Sequence, residues 1–396
     1  MNFIFVSPNF PRTYWNFCDR LKACGANVLG IGDAPYDSLE PELRGALTEY
    51  YKVDSLEDYD QVYRAVAYFA WRYGKIDWIE SLNEYWLETD ARLRTDFHVT
   101  TGIQSDRIDF IKEKSRMKEL YRQGGIPTAR QAHVTTLEEA RGFIAQVGYP
   151  VIVNPDIGVG AAHTWKLNND ADLEAFFAEL PDVPYVMEEF VVGDLISYEA
   201  ITDADCEPLF ENMTVWPTPI MNIVNDDLDL QYYTCPDLPQ KLRKIGRRTA
   251  KAFGVDRRFV HLEFFRLTED RPGLGKKGDY VGLEVNMRPP GGYTPDMINF
   301  AHSADVYQIY AEMVAFNERR SPDWAEKYFC VYAGRKEGHT YRHTHEEIME
   351  RYGDRIVMQE EMPPVNWPQM GRVMYTVKLK TLKEVEEFIS FVHDEK

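Results

Sequence analysis

The sequence contains few cysteines and no long apolar run. Its five cysteines, among 396 residues, are an odd set without Cys-x-x-Cys spacing, so we expect reduced thiols rather than a disulfide framework or a zinc site. No apolar stretch approaches the roughly 20 residues needed to cross a bilayer. The amino terminus enters a strand pattern without a basic segment or a small-residue cleavage site. These absences predict a cytoplasmic protein that does not associate with membranes.

Positive charge is also scarce. The 45 lysines and arginines are outnumbered by 64 acidic residues, which gives a formal net charge of -19 and argues against a surface for duplex nucleic acid. The densest basic segment, residues 241–251, has helical spacing without interleaved stacking aromatics. We interpret it as the solvated face of a helix, and we expect no nucleic-acid partner.

Length and composition predict several packed domains. Hydrophobic residues make up 44% of the chain, and 396 residues exceed what one core usually serves. Residues 1–108 alternate strand and helix patterns, which predicts a parallel sheet covered by helices. Gly30 and Gly32 follow a predicted strand, but no third glycine follows in register, so a dinucleotide-binding fingerprint is poorly supported.

Two short segments in the second half of the chain alternate apolar and polar residues, as strands with one solvent-facing side do. On the later segment, Glu284, Asn286 and Arg288 point to the same side. If the two strands pair, Glu263 of the earlier segment joins them. Hard oxygen ligands beside a cation suit Mg²⁺ held against a polyphosphate, with Mn²⁺ as an alternative ion. A solvated sheet face with an ordinary salt bridge is the other interpretation of these residues alone.

Two further segments have the composition of nucleotide-binding loops. In the glycine loop, residues 154–162, small residues allow backbone N–H groups to approach a phosphate closely, although a flexible hairpin explains the pattern about as well. The predicted strand 185–190 can offer backbone groups to an adenine ring, and Asp194 beyond its turn can accept from ribose hydroxyls. An apolar strand followed by a surface turn is the alternative for this second segment.

Taken in order, these segments resemble the ATP-grasp superfamily of carboxylate–amine ligases. The resemblance covers the whole chain and is strongest between residues 114 and 293. It rests on the order and spacing of Lys114–Lys118, Gly125–Thr128, Gly148–Val153, the glycine loop, Glu188–Gly193 and Leu283–Arg288.

The resemblance implies an α/β and α+β chain, with a Rossmann-like N-terminal domain followed by an ATP-grasp fold of two α+β subdomains. The implied units are the N-terminal domain at 1–108, a small subdomain with the glycine loop at 109–185, a large subdomain with the metal and substrate site at 186–325, and a C-terminal α/β segment packed on this core at 326–396. Many members of the family are dimers, so a homodimer is one assembly that the resemblance allows, and the oligomeric state stays open.

The resemblance also implies an activity. The family uses ATP to activate a carboxylate as an acyl phosphate, and an amine then displaces phosphate, so the expected partners are ATP, Mg²⁺ and small-molecule carboxylate and amine substrates. Carried over by position, the nucleotide-binding residues are Lys114, Asn154, Gly158, Gly160, Ala161, Glu188, Glu189, Val191 and Asp194. The metal ligands are Glu263, Glu284 and Asn286, and the catalytic residues are Lys114 and Arg288. The substrate contacts are Arg288 and the open backbone at Gly291 and Gly292, while His261 either touches the substrate or is a hydrogen-bonded histidine of the sheet.

One position departs from the family pattern. The family usually places a lysine that contacts ATP phosphate after the strand at 151–153, and this chain has Asn154 there. An amide keeps a hydrogen-bond donor but lacks the charge. Three interpretations follow: Lys166 or another cation substitutes, which we favour; the chain is an altered form of an active parent; or it binds nucleotide without turnover. A nicotinamide-dependent oxidoreductase using the N-terminal sheet is a further alternative, which the missing third glycine disfavours.

Overall fold

The computed structural model describes residues 1–157, 164–179, 184–218, 223, 226–322 and 326–396. Their strands form three sheets, two of four strands and one of eight. Within these ranges, no helix has the length and apolar character that a bilayer crossing requires.

The N-terminal domain is a parallel sheet covered by helices, as the alternating pattern predicts. Its strands are β1 (Asn2–Val6), β2 (Asn27–Gly32), β3 (Glu49–Lys52) and β4 (Trp78–Glu80), in the order β3-β2-β1-β4. Its helices are α1 (Trp15–Ala23), α2 (Pro41–Ala46), α3 (Tyr59–Tyr73) and α4 (Leu87–Asp96). From β1 the chain adds β2 and β3 on one side of the sheet and β4 on the other. The carboxyl ends of β1 and β4 therefore border a crevice of the kind in which ligands commonly bind.

The small subdomain is built on an antiparallel sheet of four short strands. Its strands are β5 (Gln131–His133), β6 (Val151–Pro155), β7 (Trp165–Leu167) and β8 (Tyr185–Glu189), in the order β5-β8-β6-β7. Its helices are α5 (Asp109–Lys112), α6 (Lys114–Gln123), α7 (Leu137–Val147) and α8 (Asp170–Ala178). Because β8 pairs with both β5 and β6, this unit continues to Glu189, beyond the boundary predicted at 185.

The large subdomain contains an eight-stranded sheet in the order β13-β12-β9-β10-β11-β14-β16-β15. The strands are β9 (Gly193–Thr202), β10 (Pro208–Trp216), β11 (Gln231–Thr234), β12 (Arg258–Leu267), β13 (Tyr280–Asn286), β14 (Phe329–Arg335), β15 (Ile356–Glu361) and β16 (Val373–Leu379). The helices are α9 (Gln240–Phe253), α10 (Thr294–His302), α11 (Val306–Phe316), α12 (His345–Tyr352), α13 (Trp367–Met370) and α14 (Leu382–Val392). Since β14 pairs with β11, the segment from 326 onward extends the large sheet rather than only packing on it.

The two faces of the large sheet have different neighbours. Leu262 and Val285 belong to a core shared with α6 and α9. On the opposite face, Phe210 and Phe259 share a core with α1 and α11. Because side chains alternate along a strand, Glu263 and Glu284 lie on this second face, next to the N-terminal domain.

The small and large subdomains are joined through the middle of β13. The backbone N–H of Gly282 donates to the carbonyl of Pro127 at 2.7 Å, and the Thr128 hydroxyl donates to the carbonyl of Gly282 at 3.0 Å. Lys118 Nζ in turn donates to the Thr128 hydroxyl at 2.8 Å. A Cβ at Gly282 would lie 2.6 Å from the Tyr121 ring of α6, so a glycine is needed for this close approach.

Candidate active site

The two carboxylates predicted to bind metal face each other across neighbouring strands. In the antiparallel pairing of β12 with β13, Glu263 lies opposite Glu284, and His261 lies opposite Asn286. Cross-strand partners of this kind have Cβ atoms about 5 Å apart and share one face of the sheet. Each glutamate side chain is 24% exposed, so the pair opens onto the cleft rather than into the core. The predicted pairing of these strands is confirmed.

Two cations border the carboxylate pair. Lys114, at the start of α6, has its Nζ 3.6 Å from Glu284 Oε1. Arg288, just after β13, has its Nε 3.3 Å from Glu84 Oε2 in the loop after β4, and it donates to Asn286 Oδ1 at 3.3 Å. The buried Asn286 Nδ2 has no hydrogen-bond partner among the described residues, and a free amide donor of this kind suits an anionic oxygen.

Charge repulsion within the pair shows in the pKa values. Burial raises the pKa of Glu284, and the nearby Glu263 and Glu84 add to this effect, while Lys114 opposes it. Burial acts in the same direction on Glu263, but a hydrogen bond from His261 outweighs it and lowers the pKa. Two adjacent carboxylates and an unpartnered amide N–H therefore fit a divalent cation that carries phosphate oxygens.

A buried hydrogen-bond network lies behind Glu263. The His261 Nδ1 is 2.9 Å from Glu199 Oε1, and its Nε2 is 3.2 Å from Glu263 Oε1. Burial disfavours the charged ring, but the two carboxylates outweigh burial and raise the pKa of His261 to about 9. Both ring nitrogens are thus engaged by carboxylates, which agrees with the second of the two interpretations of His261, a hydrogen-bonded histidine of the sheet. Glu199 also accepts hydrogen bonds from Ser197, Asn212 and Thr214.

The network continues to α10 through Asn212. His302 Nε2 lies 2.7 Å from Asn212 Oδ1, while Asn212 Nδ2 donates to Glu199. Because an amide oxygen only accepts, His302 carries its proton on Nε2. Burial, aided by Lys327 and Arg319, lowers the pKa of His302 to about 4. Sequence reasoning did not identify Glu199 or Asn212.

On the small subdomain, Glu188 forms a buried ion pair. Lys118 Nζ lies 2.9 Å from Glu188 Oε1, and Gln131 Nε2 donates to the same oxygen at 3.3 Å. Lys118 was not among the predicted site residues. Its position four residues after Lys114 places both lysines on one face of α6, and that spacing could have identified it.

Lys166, the predicted substitute for the missing lysine, lies on the same sheet face as Glu188. Both residues pair with Ile152, one from each neighbouring strand. The side chain of Lys166 is exposed, and its Nζ lies 4.3 Å from the centre of the Phe190 ring. This geometry leaves the ammonium group accessible to an anion at the sheet surface.

Asn154 is buried at the end of the same sheet face. It is 9% exposed, and its Oδ1 accepts a hydrogen bond from the Thr164 hydroxyl at 2.5 Å. The Nδ2 of Asn154 is therefore the side-chain group left to donate to a ligand. The predicted loop residues Gly158, Gly160 and Ala161 lie outside the described residues.

The remaining predicted nucleotide residues have partners of their own. Glu189 points away from Glu188, and its two oxygens accept from Arg130 at 2.9 and 3.0 Å. Val191 is buried in a small apolar cluster. Asp194 forms a half-exposed ion pair with Arg266 at 2.7 Å. The structure therefore does not bring these three side chains to the Lys118–Glu188 pair.

The predicted substrate glycines lie between β13 and α10. Gly291 is exposed, and its carbonyl accepts from the Thr294 hydroxyl at 2.8 Å. Gly292 has a φ of +60°, and a Cβ there would lie 2.9 Å from Met370 Cε. The backbone thus turns tightly beside Arg288, beyond the carboxyl end of β13.

Comparisons with known proteins give partial sequence relatives. No protein-family model matches the chain. The carbamoyl phosphate synthase large chain of Rubrobacter xylanophilus is 27% identical over 167 residues, which is 39% of this chain but 15% of that protein. The carbamoyl phosphate synthase large chain of Clostridium acetobutylicum is 26% identical over 108 residues, which is 26% of this chain and 10% of that protein. The matched segments thus span a small part of these relatives.

Solved structures match over the full length. The L-amino acid ligase from Bacillus licheniformis gives a TM-score of 0.71 at 15% identity, covering 100% of this chain and 97% of the ligase. Phosphoribosylglycinamide synthetase from Anaerococcus prevotii gives 0.68 at 14% identity, covering 100% and 98%. The chain has the ATP-grasp fold. The biotin carboxylase domain of a Hydrogenobacter thermophilus carboxylase, solved with MgADP, matches this ATP-grasp chain with a TM-score of 0.67 at 15% identity, covering 99% and 90%.

Proposed function

We propose that the protein is an ATP-dependent ligase that joins a carboxylate to an amine. The observation that carries the proposal is the pairing of Glu263 with Glu284 across β12 and β13, with Lys114 beside it. Similarity to ATP-dependent ligases at the level of the fold supports it.

In the proposed reaction, the substrate carboxylate attacks the terminal phosphorus of ATP, which releases ADP and leaves an acyl phosphate. The amine then attacks the acyl carbon, and inorganic phosphate leaves. An anion attacking a polyphosphate needs alignment and charge neutralisation rather than covalent help from the protein. Arg288 has a guanidinium suited to pair with the carboxylate and then with the acyl phosphate, and Glu84 orients it beforehand.

In this proposal, Glu263 and Glu284 bind the metal ion, and Asn286 lies beside them. Mg²⁺, or Mn²⁺ in its place, would neutralise charge on the transferred phosphate when bound. Asn286 now gives its oxygen to Arg288, so its free N–H is the better partner for a phosphate oxygen. His261 is a positioning residue in this proposal, because its two hydrogen bonds fix the orientation of Glu263.

In this proposal, the nucleotide binds at the face of the small sheet that carries Glu188. Lys114, Lys118 and Lys166 supply positive charge for the phosphates, and Asn154 supplies an amide donor. Backbone groups next to Glu188, Glu189 and Val191 meet the adenine ring in this proposal, and Asp194, which is paired with Arg266, is left out of it. The homodimer and the cytoplasmic location stay predictions.

The proposal is tested by a substrate screen that reads phosphate release. The protein is incubated with ATP, Mg²⁺ and pooled carboxylic acids and amines, and active pools are divided until one pair remains. We expect ADP and phosphate to appear only when acid and amine are both present, together with a product whose mass equals the pair minus water. Omitting the amine is the matched control.

The competing candidate is a nucleotide-binding protein without turnover, and the observation that favours it is the uncharged Asn154. ATP binding by calorimetry without product from any pool would support that candidate and contradict the ligase. Binding of a nicotinamide dinucleotide with no binding of ATP would instead support an oxidoreductase.

A further inference from the structure

A cavity of about 400 Å³ opens beside the first residues of β10 in the large sheet. The strand β9 pairs with β10 from Pro208 onward, whereas β11 meets β10 near its end, at Thr214 and Val215. We call this space the edge cavity. It is lined by residues 208–211 of β10, Arg243 of α9, His302 at the end of α10, and Arg319 and Lys327 beyond α11. A volume of this size suits a small-molecule ligand.

The edge cavity is separate from the candidate active site. The helix α10 begins at Thr294, just after the predicted substrate glycines, and ends at His302, which lines the cavity. At about 1.5 Å per residue, the nine residues of this helix place its two ends about 12 Å apart. A ligand in the edge cavity therefore lies at the far end of α10 from Arg288.

Positive charge converges on the edge cavity, although the chain as a whole has a formal net charge of -19. Three lining side chains are cationic, Arg243, Arg319 and Lys327, and one is acidic, Glu211. The lining thus has a formal excess of two positive charges. Lys327 is exposed and has no ion-pair partner among the described residues. This lining suits an anion rather than a cation.

The one carboxylate of the lining is already paired. Both oxygens of Glu211 accept from Arg247 of α9, at 2.9 and 2.6 Å, and the Tyr198 hydroxyl donates to it as well. Arg243 Nε lies 3.3 Å from the same carboxylate but makes no hydrogen bond among the described residues. Because Arg247 balances Glu211, this carboxylate does not cancel the positive charge of Arg243.

His302 gives the edge cavity an acceptor in a fixed orientation. The residue is 9% exposed, its Nε2 donates to Asn212 Oδ1 at 2.7 Å, and the Phe210 ring packs edge-on against it. Its Nδ1 has no hydrogen-bond partner in the part of the chain that the structure describes. Burial and the charges of Lys327 and Arg319 lower the pKa of His302, so the ring is neutral and Nδ1 accepts. A hydroxyl group of a ligand suits this nitrogen.

We propose that the edge cavity binds a small phosphate monoester that carries a hydroxyl group. Arg243, Arg319 and Lys327 hold the phosphate, and the hydroxyl donates to His302 Nδ1. A phosphate monoester has a charge between about −1.5 and −2 at neutral pH, which matches the formal excess of the lining, whereas a carboxylate supplies one charge. The site is independent of the proposed ligase function, because none of its residues belongs to the predicted nucleotide, metal or substrate sites.

Calorimetric titration of three probes into the full-length protein tests the site. Glycerol 3-phosphate has the phosphate and hydroxyls, propyl phosphate lacks the hydroxyls, and glycerate has a carboxylate in place of the phosphate. We expect glycerol 3-phosphate to bind most tightly, propyl phosphate about 5-fold more weakly and glycerate about 10-fold more weakly. The ionic strength is held constant, because salt screens exposed charges. A saturating non-hydrolysable ATP analogue with Mg²⁺ should leave these affinities unchanged.

Variants connect the binding to the residues. Lys327→Gln and Arg243→Gln each remove one cation of the lining, and each should weaken glycerol 3-phosphate binding about 5-fold. Lys383→Gln removes one positive charge from an exposed ion pair on α14, and this matched control should not change the affinity. His302→Phe removes the acceptor, and the two phosphates should then bind equally. If this buried variant does not fold, as judged by circular dichroism, Lys327→Gln at the exposed wall still tests the site.

Four results would overturn the proposal. The first is no binding of any probe up to about 10 mM. The second is binding that both Lys327→Gln and Arg243→Gln leave unchanged, which would place the probe elsewhere on the protein. The third is loss of binding when the ATP analogue is present, which would place the probe in the candidate active site. The fourth is equal binding of glycerate and glycerol 3-phosphate, which would contradict a site for phosphate.

Discussion

The large and small sheets on the two sides of the candidate site anchor their polar side chains differently. On the large sheet, residues of adjacent strands bond to one another, from Asn212 through Glu199 and His261 to Glu263. On the small sheet, Glu188 is paired mainly with Lys118 from a helix, and Lys166 only packs on a ring. The first side is a connected network, and the second is a set of separate contacts.

This difference indicates which parts of the site are preorganised. A connected buried network fixes each member through two or more neighbours, so a change at one position alters the others. In a set of separate contacts, a change at one residue affects only its own contact. We therefore expect substitutions on the large sheet to reduce metal binding and stability together, and substitutions on the small sheet to change nucleotide affinity alone.

The largest effect is expected for Glu284→Gln. The change removes one charge from the carboxylate pair at constant shape, and a metal supplies several kcal/mol of charge stabilisation. Phosphate release should fall about 100-fold or more, with a higher Mg²⁺ requirement. Glu207→Gln, which breaks a half-exposed ion pair with Lys251, is the matched control. An unchanged Mg²⁺ titration of Glu284→Gln would separate the pair from metal binding.

Acidic pH is expected to lower the stability of the folded protein strongly, because His302 is buried in its neutral form. Its pKa is lowered to about 4 in the folded protein, against about 6.5 when unfolded. Between these values the unfolded chain binds a proton that the folded chain does not, so stability is lost as pH falls from about 6.5 to about 4, by on the order of 3 kcal/mol.

Urea unfolding across this pH range measures the loss. His302→Gln should remove this component of the slope, whereas His133→Gln at an exposed position should not. Equal slopes for the wild type and His302→Gln would mean that the ring is already charged in the folded protein, and the network would then end at Asn212.

A smaller effect is expected for Glu199→Gln. The amide keeps the shape but loses the charge that pairs with His261, at a cost of about 2 kcal/mol for a hydrogen bond to a charged group. Because His261 orients Glu263, Mg²⁺ affinity should also fall about 10-fold. Denaturant unfolding and a Mg²⁺ titration measure the two effects. Glu361→Gln, at an exposed ion pair with Arg372, should change stability by about 0.5 kcal/mol or less. A loss of stability without any loss of Mg²⁺ affinity would break the proposed link between network and metal site.

The smallest effect is expected on the small sheet. Lys166→Met should raise the KM for ATP about 5-fold if its charge replaces that of the missing lysine, because a half-solvated ion pair contributes about 1 kcal/mol. Asn154→Lys should lower the KM or raise turnover, and the double variant should recover the wild-type value. Stability should be unchanged in Lys166→Met, since the side chain is exposed. No response of the KM to either single change would show that the charge comes from elsewhere, with Lys118 as the next candidate.

Alternation along single strands was enough to predict that Glu263 and Glu284 lie side by side. Glu284, Asn286 and Arg288 are two residues apart, and their register with Glu263 needed only the pairing of two strands close in sequence. The partner of His261 was not predictable in this way. Glu199 lies on β9, which is central in the sheet but 62 residues earlier in the chain, and no local pattern specifies which strand pairs there.

The segment at 112–123 shows a second limit of sequence patterns. Its apolar spacing is continuous, but Glu113 is extended, with φ of −90° and ψ of 119°. The reason is tertiary: Glu113 bridges Ile157, and the Lys114 N–H donates to the carbonyl of Asp156 at 2.9 Å. A contact with the end of β6 therefore interrupts the helix and sets where Lys114 begins α6, which periodicity alone does not reveal.

The hydrogen bonds at Gly282 form a junction about which the two subdomains could rotate. Lys118 is bonded to Thr128, which is bonded to Gly282, so a rotation of the small sheet against the large one would move these atoms least. Glu188 is held near this junction by its ion pair with Lys118. Lys166 lies on the outer strand β7, so the same rotation would displace it further than Glu188.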